Sequence, residues 1–97
     1  MFVKIVVSWD LDMVEVIVEM KIFPKNVEID IDDLERKIID KISPERIEKE
    51  PVAFGLVALK IVKMVKDEEG QMDELERRIR EVEEVGEVEV INVTRSI

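Results

Sequence analysis

The side chains here that could do chemistry are mainly carboxylates, lysines and arginines, because the 97 residues include no cysteine and no histidine. That removes thiolate nucleophiles, disulfides, soft metal sites and imidazole general bases. The 24 Asp and Glu residues leave carboxylate metal sites open, but acids this numerous read first as a solvated face. Neither a cofactor nor a metal is expected. The formal charge of −9 repels phosphate backbones, so direct nucleic-acid binding is disfavoured. It is compatible with a basic protein partner.

The stretch that stands out for recognition runs from Glu50 to Lys60. It is poor in charge within a chain that is 40% charged. Pro51 fixes its own φ and biases Glu50 toward an extended conformation. Gly55 permits a backbone geometry that Phe54 adopts only at a cost. The pattern is strand, sharp irregularity, strand, with Phe54 at the break. Two readings stay open on pattern alone: a core residue beside a hairpin turn, or an exposed apolar anchor for a partner.

The elements that must position this break follow from periodicity. Val14, Val16, Val18, Met20 and Ile22 alternate with Glu15, Ile17, Glu19, Lys21 and Phe23, which predicts a strand with one buried face ended by Pro24. Asp30 to Ser43 reads as a helix, with Asp30 as N-cap, Asp32 and Asp33 at the positive end of the dipole, and Leu34, Ile38 and Ile42 as the apolar stripe. Arg46 to Val52 is a weakly apolar strand, suited to a sheet edge. Leu56 to Val65 is apolar on both faces and predicts a central strand. Gln71 to Val85 reads as a second helix through Met72, Leu75, Ile79 and Val82. A Glu76–Arg80 pair supports it, and Gly86 takes the left-handed position after its end. Glu87 to Arg95 is the last strand. Its apolar phase slips near Val90-Ile91, which predicts a bulge there.

From Met13 the order is β-α-β-β-α-β. Two amphipathic helices, each crossing between strands, pack most simply on one face of a four-stranded antiparallel sheet, the ferredoxin-like α+β sandwich. Phe2 to Val7 adds a strand-like segment before it. Nothing approaches the length of a membrane span, and the first residues lack a cleavage site, so a cytoplasmic location and no membrane partner are expected.

Residues 13–97 resemble the archaeal elongation factor 1-beta family. The resemblance rests on Val18-Glu19-Met20-Lys21-Ile22-Phe23-Pro24, on Asp32-Asp33-Leu34-Glu35, and above all on Glu50-Pro51-Val52-Ala53-Phe54-Gly55-Leu56-Val57-Ala58-Leu59. It implies a guanine nucleotide exchange factor without bond chemistry. Its partner would be the elongation factor 1-alpha GTPase, whose bound nucleotide and magnesium it would destabilise. In the family the Phe-Gly turn and the C-terminal end press on the GTPase domain near its phosphate loop and magnesium site. Carried over by position, Ala53, Phe54 and Gly55 form the partner-binding turn, with Phe54 as anchor. At the C-terminus the eukaryotic relatives carry a lysine next to the last residue, where this chain has Ser96. Arg95 is then the candidate basic group, one position earlier and turned by strand alternation to the opposite face. The geometric expectation is an accessible Phe54 at the same end of the sheet as Arg95.

The family pattern begins near Met13, so residues 1–12 stand as an N-terminal extension. Trp9-Asp10 can only be encoded as TGG-GAY, which sets a purine-rich GGGA shortly before the Met13 codon and suggests an overlong start. The alternative is an added strand, Phe2 to Val7, on a sheet edge. Two charge features have a bland and a functional reading. Lys60, Lys63 and Lys66 form either a solvated alternation or a basic steering track. Glu81, Glu83, Glu84, Glu87 and Glu89 form either a solvated rim or a surface that speeds encounter with a basic GTPase. Other activities of this fold lack their residues here. Metal chaperones need Cys-x-x-Cys, acylphosphatases need an arginine loop where this chain reads Pro24-Lys25-Asn26-Val27, and RNA-recognition domains need stacking aromatics on central strands. The remaining alternative is a small-ligand-binding regulatory domain that dimerises through its sheet.

Overall fold

The computed structural model describes residues 15–96, with the side chain of Ser96 excepted. The extension 1–12, with its expected strand Phe2 to Val7, lies outside the described residues. The elements run β1 (Glu15–Pro24), α1 (Ile31–Ile42), β2 (Arg46–Pro51), β3 (Val57–Lys66), α2 (Gln71–Arg80) and β4 (Val85–Ser96). The strands form one antiparallel sheet in the order β2-β3-β1-β4, the ferredoxin-like α+β arrangement predicted above. Among the described residues β2 is an edge strand and β3 is central, as their composition predicts.

Alternation along β1 buries Val16, Val18, Met20 and Ile22 under the helices and leaves Ile17, Glu19, Lys21 and Phe23 on the open face, half-buried. Leu59 and Ile61 of β3 lie across from Ile22 and Met20 and join the same layer. Leu34, Ile38 and Ile42 of α1 and Leu75 and Ile79 of α2 complete it. Both helices therefore pack on one face of the sheet. Asp30 caps α1: its carboxylate accepts from the Asp32 N–H at 3.0 Å and the Asp33 N–H at 3.4 Å. Ser43, in the left-handed region at φ +47°, closes the helix.

Two boundaries differ from the sequence reading by more than one residue, the end of α2 and the start of β4. α2 ends at Arg80, not Val85. The chain then tightens through i→i+3 bonds, Val82 N–H to Ile79 C=O and Val85 N–H to Val82 C=O, both 3.1 Å. Val85 leaves the helix because it pairs with Pro24, and sheet pairing outweighs the weak helix propensity of two nearby valines. Gly86 is consequently not a left-handed helix terminator. It sits inside β4, where a Cβ would lie 2.9 Å from Lys25 Cα and from Pro24 O, so glycine is required by close backbone approach. The predicted bulge is present: Glu19 pairs with Asn92 and Met20 with Val90, leaving Ile91 as the extra residue.

The side-chain pairs also rearrange. Arg77, rather than Arg80, carries the helix-surface pairing of α2, bridging Glu74 and Glu81. Lys60, Lys63 and Lys66 do not form one track. Lys60 pairs with Lys21 and Lys66 with Glu15 on the open face, while Lys63 turns to the helix side and donates to the Ser43 carbonyl at 3.1 Å. Three residues of spacing on a strand reverses the face.

Candidate functional site

The turn between β2 and β3 is closed by two backbone bonds, Val52 N–H to Leu56 C=O at 2.8 Å and Leu56 N–H to Ala53 C=O at 3.0 Å. Its central residues are Phe54 at φ +56° and Gly55 at φ +79°. Positive φ at both central positions is the type I′ pattern, whose twist matches the flanking strands. Glycine accepts this freely. A phenylalanine does so at a cost of roughly 1–2 kcal/mol, because its Cβ crowds the backbone. No core burial offsets that cost: Phe54 is 99% exposed. Ala53 and Gly55 are exposed beside it. The core reading of Phe54 is thereby excluded, and a large ring stands in solvent on a strained backbone.

Two exposed valines, Val52 (47%) on the hairpin and Val27 (61%) on the β1–α1 loop, lie at the same end of the sheet. Sequence reasoning missed Val27, because a single valine in a loop belongs to no period. Nearby, Glu50 Oε2 is shielded from water and lies 3.0 Å from Lys21 Nζ, within ion-pair distance but outside hydrogen-bond alignment.

Arg95 and Ser96 are elsewhere. Arg95 pairs with Val16 and Ser96 with Glu15, at the end where β1 begins, whereas the hairpin follows the pairing of Pro51 with Val57, at the end where β1 finishes. The expectation of a shared end is therefore wrong. β4 starts beside the hairpin and runs away from it, as antiparallel pairing with β1 demands. The eight residue steps from Val57 to Val65, which faces Val16, span roughly 26 Å. Arg95 projects to the helix side and is ion-paired with Asp67 of the β3–α2 loop.

The acidic cluster also divides. Glu84 pairs with Lys37 and Glu81 with Lys41, tying α1 to the segment after α2. The Lys37 hydrogen bond holds Glu84 below the ordinary carboxylate range, and Lys41 does the same for Glu81. Glu84 in turn, with Asp33, raises Lys37. These acids brace the helix layer. Among the described residues, no three acidic side chains converge as a metal site would require, and no helix is long and apolar enough to cross a membrane.

Residues 17–95 match the sequence profile described as the EF-1 guanine nucleotide exchange domain. Among curated proteins, the chain is 43% identical over 56 residues to the Elongation factor 1-beta of Methanosphaera stadtmanae, covering 55% of this chain and 64% of that relative. It is 47% identical over 58 residues to the protein of that name from Methanococcoides burtonii, with the same coverage. It is 44% identical over 55 residues to that of Pyrococcus abyssi, covering 53% and 57%. The chain thus spans less than two thirds of the length of these relatives.

Proposed function

Because this chain belongs to the EF-1 guanine nucleotide exchange domain family, we propose that it promotes exchange of GDP for GTP on elongation factor 1-alpha during translation. The reading makes it a binding protein rather than an enzyme of bond chemistry, acting in the cytoplasm. An exchange factor works by linkage. It binds the nucleotide-free partner more tightly than the nucleotide-bound form, so its binding weakens the nucleotide by the same factor.

The observation that carries the reading is Phe54. A residue held at φ +56° and 99% exposed gives up stability in the isolated chain, and contact with a partner supplies a reason. Ala53 and Gly55 shape the turn that presents it. Arg95, with Ser96 beside it, is the proposed basic contact near the nucleotide's phosphate and magnesium. Since Phe54 and Arg95 occupy opposite ends of the sheet, they engage separate places on the partner.

The test is release of fluorescent GDP from the cognate elongation factor 1-alpha. The account expects acceleration that saturates at micromolar concentrations, and no acceleration would sink it. The exchange domain is assigned to residues 13–97. A chain starting at Met13 is expected to keep full exchange activity, and a folded but inactive truncation would show that residues 1–12 take part.

A further inference from the structure

Val27 and Gly55 come from different loops yet line one cavity of about 190 Å³, with Pro24, Asn26, Ile29 and Leu56 around them. The β1–α1 loop that carries Val27 is pinned. Asn26 Oδ1 accepts from the Glu28 N–H at 2.9 Å, and the Lys25 N–H donates to the Glu84 carbonyl at 3.0 Å. Gly86 lets β4 lie directly against Lys25, as described above. A loop tied at these points does not fold back to hide its apolar side chain. The exposure of Val27 is a property of the fold, and a surface ordered in advance loses little entropy on binding.

We propose that Val27 is a second apolar anchor of the Phe54 surface, and that the cavity between the β1–α1 loop and the hairpin receives an apolar side chain of the GTPase partner. This rests on the exchange-factor reading. Continuity selects the occupant: Gly55 lines the cavity and Phe54 is its neighbour in the same turn, so a partner that covers Phe54 also reaches the cavity. Size agrees, since cavities of roughly 150 Å³ accept a benzene-sized group. Lys25 and Glu28, on either side of Val27 along the loop, carry opposite charges, so the loop offers no net charge to select a charged group. An apolar centre with a mixed polar rim is how protein–protein hot spots are built.

The experiment measures fluorescent GDP release against exchange-factor concentration for the full chain and for Phe54→Ala, Val27→Asp, Val27→Ser, Val27→Ile and Ile39→Asp, with thermal unfolding of each. Val27→Asp is expected to raise the half-maximal concentration about tenfold or more, and Val27→Ile to stay within about twofold. Val27→Ser removes the same contact without a charge and reads it even if the aspartate disturbs the loop. Ile39, exposed on α1 toward its C-terminal end, is the control and leaves release unchanged on substitution. If Phe54→Ala weakens release while both polar Val27 variants behave as wild type, the second anchor is overturned and the exchange reading stands. If the wild-type chain itself does not accelerate release, the exchange reading fails. If the Val27 variants change only self-association in light scattering, the surface serves a second copy and the proposal is overturned.

Discussion

The hairpin end and the far end of the sheet treat their exposed groups differently. At the far end, the Arg95 guanidinium is paired with Asp67 within the chain. Such a surface pair is worth about 0–1 kcal/mol, so the fold neither gains nor loses much by it. At the hairpin end, Phe54 takes on an unfavourable backbone conformation and leaves its ring in water. The difference separates a group that the fold has already satisfied from one that it has not. Function is more readily inferred from the second kind, because stability alone selects against it.

The comparison breaks most directly through exchange activity. Phe54→Ala is expected to reduce the efficiency of GDP release about 30-fold, as for a central aromatic hot spot, whereas Arg95→Ala costs less than about fivefold. Equal losses would remove the asymmetry. A smaller effect sharpens it. Phe54→Asn places the favoured Asn-Gly pair in the type I′ turn and relieves the strain. Stability is expected to rise by about 1 kcal/mol in denaturant unfolding while exchange is lost. A destabilised variant would mean that the ring makes native contacts after all.

The smallest effect belongs to the helix layer. Glu84 and Glu81 are held below the ordinary value of 4.5 by Lys37 and Lys41. Their folded-state values are depressed, so the stability they contribute is present above pH 4.5 and is lost as pH falls through the lowered values. Lys37 is raised above its ordinary 10.5, so its share is lost only as pH climbs beyond that. A thermal-unfolding midpoint that declines below pH 4.5, with part of the decline removed by Lys37→Met, is the expected outcome. A midpoint as sensitive in Lys37→Met as in wild type would show that these pairs are inert.

Most of the fold was legible because its signals are local. Asp30 before an acidic first turn marks a cap, strict alternation marks β1, and the slip at Val90-Ile91 marks a bulge. The end of α2 was not legible, since Val82 and Val85 suit a helical stripe and a sheet equally, and only the pairing of Val85 with Pro24 decides between them. Gly86 misled for a related reason: a glycine after a helix signals a left-handed turn, but here it answers to a neighbouring strand. For the candidate site, Pro51 and Gly55 located the break, and the resemblance implied Phe54 as the proposed anchor. The separation of Phe54 from Arg95 was available from strand directions alone, because β4 must run antiparallel to β1. Val27 was not available, since its meaning depends on a loop meeting a hairpin far along the chain.

The central claim is that the partner seats on the hairpin end. Amide hydrogen exchange of this chain, free and bound to nucleotide-free elongation factor 1-alpha, tests it directly. The account predicts new protection concentrated at Ala53 to Leu56 and at Asn26 to Glu28. Protection confined to other surfaces, with these amides unchanged, would contradict it.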